Sequence, residues 1–282
     1  MWWNFHTHSD YCDGKSTLQQ HVEKAKSVAV GQLGFSSHAP VPFDCKWCIK
    51  KDQLNNYLLA IDGLKKSNPD LEIYAGLEVD YIPGLISPRD FNPLLDYTIG
   101  SVHFVEQYND GTRWEIDGPH NSFLPGLEKI FKGNIQDVVV RYYELTREMI
   151  EHSEPSVIGH LDKIKIQNIE NKFFNETDGW YQSEVSKTID SIARFGGIVE
   201  VNTRGIYQKK SITTYPSPWI LEMICKKNIP ITISSDAHHA DDLINQFPET
   251  TLALKKIGFN KITIRSENRW IPFNFNENGI LL

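Results

Sequence analysis

Four cysteines in 282 residues are too few for a disulfide framework. The one close pair, Cys45 and Cys48, has no second CxxC to complete a four-cysteine zinc site, and it does not open a helix after a strand as a redox motif would. No run of about 18 apolar residues is present, so no membrane-spanning helix is expected. The N-terminus has no basic segment followed by an apolar core, and a cytoplasmic location is the expectation. No glycine-rich GxGxxG follows the first apolar run, which removes the dinucleotide-binding reading. Positive charge is also scarce: 29 Lys and Arg against 36 Asp and Glu leave a net charge of -7. That balance argues against a nucleic-acid partner held on a broad basic surface, because phosphate neutralisation needs clustered cations.

Apolar residues are plentiful. They make up 40% of the chain against 23% charged, enough to fill a large core, and the length suits one α/β barrel domain over residues 1–282. The first eight residues set the pattern: Trp2 to Phe5 read as a short buried strand, and His6 and His8 follow at i and i+2, where extended backbone projects both imidazoles to one side. Thr17 reads as the N-cap of a helix running to about Val30. Further strands are expected at residues 33–37, 72–77, 97–102, 156–159, 197–201 and 231–235. Amphipathic helices are expected at 51–66, 137–152, 182–195, 218–227 and 240–257. Residues 104–134 read as one long irregular loop, and Ile262 to Ile264 as a last apolar run.

This alternation predicts a mostly parallel sheet covered by helices, and a closed or distorted barrel fits it better than an open sheet. One apolar run after another ends in His, Glu or Asp. In such barrels the chemistry sits at the C-terminal ends of the strands, so His6, His8, His38, Glu78, His103, His160, Asp236 and His238 should converge on one mouth. Imidazoles and carboxylates crowded together would repel or stay unsatisfied without positive charge, and metal ions supply it most simply. Mixed nitrogen and oxygen ligands suit Zn, Mn or Fe better than Mg or Ca, and the ligand count exceeds what one cation takes. Two or three divalent ions are therefore expected, with Glu78 as a bridge. His21 and His152 fall inside expected helices and read as structural, while His120 lies in the long loop and His239 next to His238.

The motifs also match a known family. His6-Thr7-His8 with Asp13, FSSHAP at 35–40, GLEVD at 76–80, GSVHF at 100–104, GHLD at 159–162, EVNTRG at 200–205 and SDAH at 235–238 resemble the PHP (polymerase and histidinol phosphatase) superfamily. Within it the similarity is strongest to the histidinol-phosphate phosphatases. The resemblance implies a distorted TIM-like (β/α)7 barrel with a trinuclear metal centre. It places His6, His8, Glu78 and Asp236 on one metal, Glu78, His103 and His160 on a second, and Asp13, His38 and His238 on a third. Many members carry His where this chain has Asp13. The resemblance further implies hydrolysis of L-histidinol phosphate to L-histidinol and phosphate, with hydroxide held between two cations attacking the phosphorus.

Arg204 looks like the phosphate-side arginine, able to give a bidentate contact to a non-bridging oxygen. Departure of the alkoxide needs a proton, for which Asp13 and His239 are candidates beside a metal-held water. A substrate with an ammonium and an imidazole calls for acidic and aromatic groups, and Trp47, Glu115 and Asp117 are the expected contacts. Other uses of the same centre would be a protein-tyrosine phosphatase or a nucleotide or oligonucleotide phosphodiesterase. An exonuclease should show a basic strand-binding track, which this acidic chain lacks. A binding protein with ions in a purely structural role would show closed tetrahedral sites rather than shared ligands.

Overall fold

A computed structural model describes residues 1–281. Seven short strands form one sheet: β1 (Trp2–Asn4), β2 (Val30–Phe35), β3 (Glu72–Asp80), β4 (Tyr97–Ser101), β7 (Val157–Ile158), β8 (Ile198–Asn202) and β9 (Ile231–Ser234). They lie side by side in chain order and every pair is parallel. Strands such as Ile198–Asn202 and Ile231–Ser234 are buried along their whole length, as expected where helices cover one face and a barrel interior the other. The outer helices include Leu18–Ser27, Leu54–Ser67, Ile135–Ser153, Gly179–Phe195, Pro218–Lys226 and Phe247–Ile257. Thr17 caps the first of them through a capping box with Gln20, as its sequence predicts. No helix among the described residues is long and apolar enough to cross a membrane.

The first and last strands of the barrel do not pair as a ladder and are bridged just beyond their C-terminal ends. Thr7 bridges to Ala237 in parallel, with His8 N donating to Ala237 O (2.8 Å) and Ala237 N to His6 O (3.0 Å). At the other end the antiparallel strands β10 (Lys261–Ser266), β11 (Arg269–Asn276) and β12 (Gly279–Ile280) cover the opening. Ile280 N donates to Met1 O (3.1 Å), and Trp270 packs edge-on against Phe5 with ring centres 5.0 Å apart. Tyr97 fills the interior above it, donating to Phe5 O and Phe35 O. Gly34 and Gly76 make room for that ring: a Cβ on either would come within 2.4 Å of Tyr97. Any larger residue there would push the tyrosine out of the core.

Two expectations need correction. Residues 104–134 are not an irregular loop. They form a hairpin of β5 (Phe104–Gln107) and β6 (Arg113–Glu115), then a helix His120–Phe131. Pro125 inside that helix reads as a break in the sequence, and the strands are too short to show periodicity. The expected helix over 240–257 is a 3₁₀ turn, Ala240–Asp242, followed by a shorter helix starting at Phe247, with Pro248 in its first turn where the missing N–H costs nothing. Ile262 to Ile264 is the middle of β10 in the antiparallel plug.

Candidate metal centre

Each polar residue at the mouth is set by the strand beneath it. Past β1 the chain stays extended, held on one side by Ser36 N donating to Thr7 O (2.9 Å) and on the other by the Ala237 bridge, so His6 and His8 face the same interior. Glu78 lies within β3, and its backbone carbonyl accepts from Ala39 N (2.8 Å), which fixes the turn carrying His38. His103 and His160 come two residues past β4 and β7. Asp236 follows β9 with φ at 51°, a left-handed conformation that Asp tolerates better than most residues.

Glu78 is the centre of the cluster. Its Oε2 lies 3.1 Å from His6 Nε2, 3.4 Å from His8 Nε2 and 3.1 Å from His38 Nδ1, and its Oε1 lies 2.9 Å from His160 Nε2 and 3.6 Å from His103 Nε2. Asp236 Oδ1 stands 3.2 Å from His8 Nε2 and 3.8 Å from His6 Nε2. Three overlapping groups have donor atoms within 4.8 Å of one another: His6, His8 and Asp236; His38, Glu78 and His103; and His8, Asp13, His38 and His238. Among the described residues, His6 Nε2, His8 Nε2, His38 Nδ1 and Asp236 Oδ1 are buried without a hydrogen-bond partner. Buried polar atoms are normally paired, so four orphans aimed into one cluster fit divalent cations.

The electrostatics carry the same message. Burial disfavours a charged His6, yet the carboxylates of Glu200, Asp236 and Glu78 overcome it and raise the imidazole to about 10. His103 is likewise raised to about 10 against burial, by Asp80, Asp117 and Glu78. Glu78 and Asp236 are held well below the carboxylate range, where the surrounding positive groups outweigh burial. The mouth therefore demands positive charge. At its rim burial pushes His238 down to about 4. Asp13 is also held low, with His238, His38 and His8 overcoming burial, so it is an ionised acceptor and not a ready proton donor.

The cluster floors a cavity of about 270 Å³. Of the residues expected at the site, Asp13, Trp47, Glu115, Asp117 and Arg204 all line it. Trp47 Nε1 donates to Glu115 Oε1 (3.0 Å) and its ring packs edge-on against His38, 4.5 Å between centres. Cys45 and Cys48, on either side of Trp47, are buried free thiols. Arg204 Nη1 donates to Asp236 O (2.7 Å) and also meets His238 Nδ1.

His239 is not brought to the mouth. While His238 faces the cavity, the bend after β9 turns His239 outward, half exposed, where it caps Asp241 N through Nδ1 (3.2 Å). His120 borders a neighbouring depression, and His21 is fully buried behind the mouth.

Sequence reasoning missed Lys163 and Lys210, both on the cavity wall. Lys163 is 5% exposed, with its ammonium 3.7 Å from Asp117 Oδ2 and 4.0 Å from Asp236 Oδ2. Its position three residues past His160, in the turn after a strand, was the available signal.

A parallel barrel with imidazoles and carboxylates gathered at its C-terminal mouth is the frame of a metal-assisted barrel enzyme. The chain belongs to the PHP family, since the family model of the PHP domain matches residues 4–204. It is 29% identical over 257 residues to the histidinol-phosphatase of Bacillus subtilis, covering 84% of this chain and 94% of that protein. A solved structure from Listeria monocytogenes superposes with a TM-score of 0.75 at 21% identity, covering 88% of this chain and 99% of that one. The histidinol phosphate phosphatase of Lactococcus lactis, solved with zinc, L-histidinol and phosphate, superposes with a TM-score of 0.70 at 18% identity over 96% of this chain and 98% of its own.

Proposed function

We propose that this chain hydrolyses L-histidinol phosphate to L-histidinol and phosphate, as a step of histidine biosynthesis. The observation that carries the reading is the composition of one cavity of about 270 Å³: orphaned imidazole and carboxylate atoms on its floor, Lys163 and Arg204 on its wall, and acidic and aromatic groups at its rim. The likeness in length and sequence to the Bacillus subtilis histidinol-phosphatase supports the choice of substrate.

Two or three divalent ions, Zn, Mn or Fe, suit the donor set. His6, His8, Glu78 and Asp236 would hold the first and Glu78, His103 and His160 the second. Asp13, His38 and His238 would hold the third. Arg204 can only donate, so His238 Nδ1 accepts from it, and Nε2 then carries a proton toward Asp13 Oδ2, 3.2 Å away. Ligation through His238 Nε2 therefore requires the other tautomer, with the ring proton on Nδ1 and donated to Asp236 O, 3.1 Å away.

When bound, such ions make hydroxide available at neutral pH and offset charge on the phosphoryl oxygens. The chain's own part is orientation and charge. Lys163 and Arg204 supply cations for the non-bridging oxygens, with Lys163 as a buried point charge and Arg204 as a planar fork. Asp117 and Glu115 supply anions for the substrate ammonium, and Trp47 offers a flat face to the imidazole.

The test is phosphate release from L-histidinol phosphate by zinc- or manganese-loaded protein, run beside p-nitrophenyl phosphate, phosphotyrosine and a short oligonucleotide. A kcat/KM for histidinol phosphate several orders above the others is expected. A preference for phosphotyrosine or the oligonucleotide would overturn the substrate, and no turnover with metal bound would overturn the activity.

A further inference from the structure

Glu200 lies in the middle of β8, fully buried, and does not line the cavity. Its carboxylate gathers four contacts from four parts of the barrel. Oε2 accepts from His160 N (2.6 Å) and Asn202 Nδ2 (3.1 Å). Oε1 meets His6 Nδ1 and Ser234 Oγ. A backbone N–H and an amide NH₂ can only donate, and an ionised carboxylate can only accept. The His6 ring and the Ser234 hydroxyl, which could each play either part, must therefore both donate to it.

We infer that Glu200 is a positioning residue: it fixes the ligating, neutral form of His6 with its proton on Nδ1 and so turns the lone pair of Nε2 toward the cluster around Glu78 and Asp236. This rests on the metal reading proposed above. His6 Nε2 is one of the orphaned buried atoms, 3.1 Å from Glu78 Oε2, and a metal ligand must present a lone pair there. The device recurs at His103, where Asp80 Oδ1 accepts from the backbone N–H (2.8 Å) and faces ring Nδ1 at 3.1 Å. It is absent from His238, whose Nδ1 faces the donor Arg204. His6 and His103 thus have their ring protons placed by carboxylates, whereas the equally buried His8, whose Nδ1 faces Cys12 Sγ, and His160, whose Nδ1 has no partner, and the rim His238 do not.

Glu200→Gln keeps the shape and tests the wiring. Its amide oxygen has to face the obligate donors His160 N and Asn202 Nδ2, so its NH₂ faces Ser234 Oγ, which can accept, and His6 Nδ1. His6 is then driven to carry its proton on Nε2, where the lone pair is needed. Two measurements follow, using zinc alone as the probe. In the zinc-loaded native chain labelled with ¹⁵N-histidine, His6 should show a proton on Nδ1 and a metal-shifted Nε2. Competition with a chelator should show the variant losing about 10- to 100-fold in zinc affinity, with its Nδ1–H signal gone.

A merely structural Glu200 would lower Tm while leaving zinc affinity within about threefold and the Nδ1 proton in place, and that result overturns the inference. So does a native zinc-loaded chain with no proton on His6 Nδ1, a measurement that does not depend on the variant folding. Native zinc binding with the expected signature but no hydrolysis of histidinol phosphate would sink the substrate assignment and leave this inference standing. Absence of zinc binding at the mouth would overturn both.

Discussion

Replacing Glu78 by Gln removes one charge and little else, because the two side chains have nearly the same volume. In the native site that charge lies within 3.6 Å of nitrogen atoms on His6, His8, His38, His103 and His160, and Ser101 Oγ donates to it at 2.7 Å. For a cation near 4 Å and an effective dielectric constant near 20, each unit of its charge loses about 4 kcal/mol of attraction. That corresponds to a factor of about 1,000 in metal affinity per unit of charge. The amide adds a second cost, since its NH₂ would point at imidazole nitrogens that must offer lone pairs. Chelator competition on refolded Glu78→Gln, checked for native circular dichroism, should show zinc bound at least about 1,000-fold more weakly, with phosphate release falling in step. A variant that is folded, binds the native complement of zinc and retains kcat/KM within threefold would refute the central role of Glu78.

Three further outcomes are expected. Lys163→Met should lower kcat/KM for the phosphate monoester by about 10- to 150-fold, the value of a charged hydrogen bond of about 1.5–3 kcal/mol, without altering zinc stoichiometry; unchanged kinetics would remove Lys163 from the phosphate site. His239→Ala should leave kcat and KM unchanged in steady-state assays, because the side chain faces solvent, and a tenfold loss would show that it reaches the cavity. Burial and the neighbouring His8, His239 and His238 push His21 down to about 4 from 6.5. The unfolded chain therefore takes up this proton first. His21 costs nothing above pH 6.5, and stability falls as the pH drops from there towards 4, by up to about 3 kcal/mol. Urea unfolding of the native chain and His21→Leu at pH 7.5 and 5.0 should show the smaller pH dependence in the variant; equal slopes would refute it.

The strands that build the mouth were legible because each is a short apolar run ending abruptly in a polar residue. That pattern placed His6, His38, Glu78, His103, His160 and Asp236 on one side of the barrel before any coordinates. The hairpin at Phe104–Glu115 was not legible, since three or four residues per strand carry no measurable period. His239 was misplaced for a related reason: adjacency in sequence suggested shared proximity, whereas the bend after β9 sends His238 into the cavity and His239 to solvent. Lys163 escaped notice because lysine after a strand is ordinarily solvated, and only the fold shows its ammonium drawn inward beside Asp117 and Asp236. The plug of β10–β12 carries no motif, and its place under the barrel is set by tertiary contacts such as Trp270 on Phe5 and Ile280 N to Met1 O.

The bridge between Thr7 and Ala237 has a consequence for the order of events in the cell. The first and last strands of the barrel are joined at the mouth only when the segment at Thr7 meets one made roughly 230 residues later. At about 5–20 residues per second a ribosome needs on the order of tens of seconds to cover that distance. Throughout that interval His6 and His8 are without Asp236. The deep group of donor atoms on His6, His8 and Asp236 therefore comes together only after translation of β9.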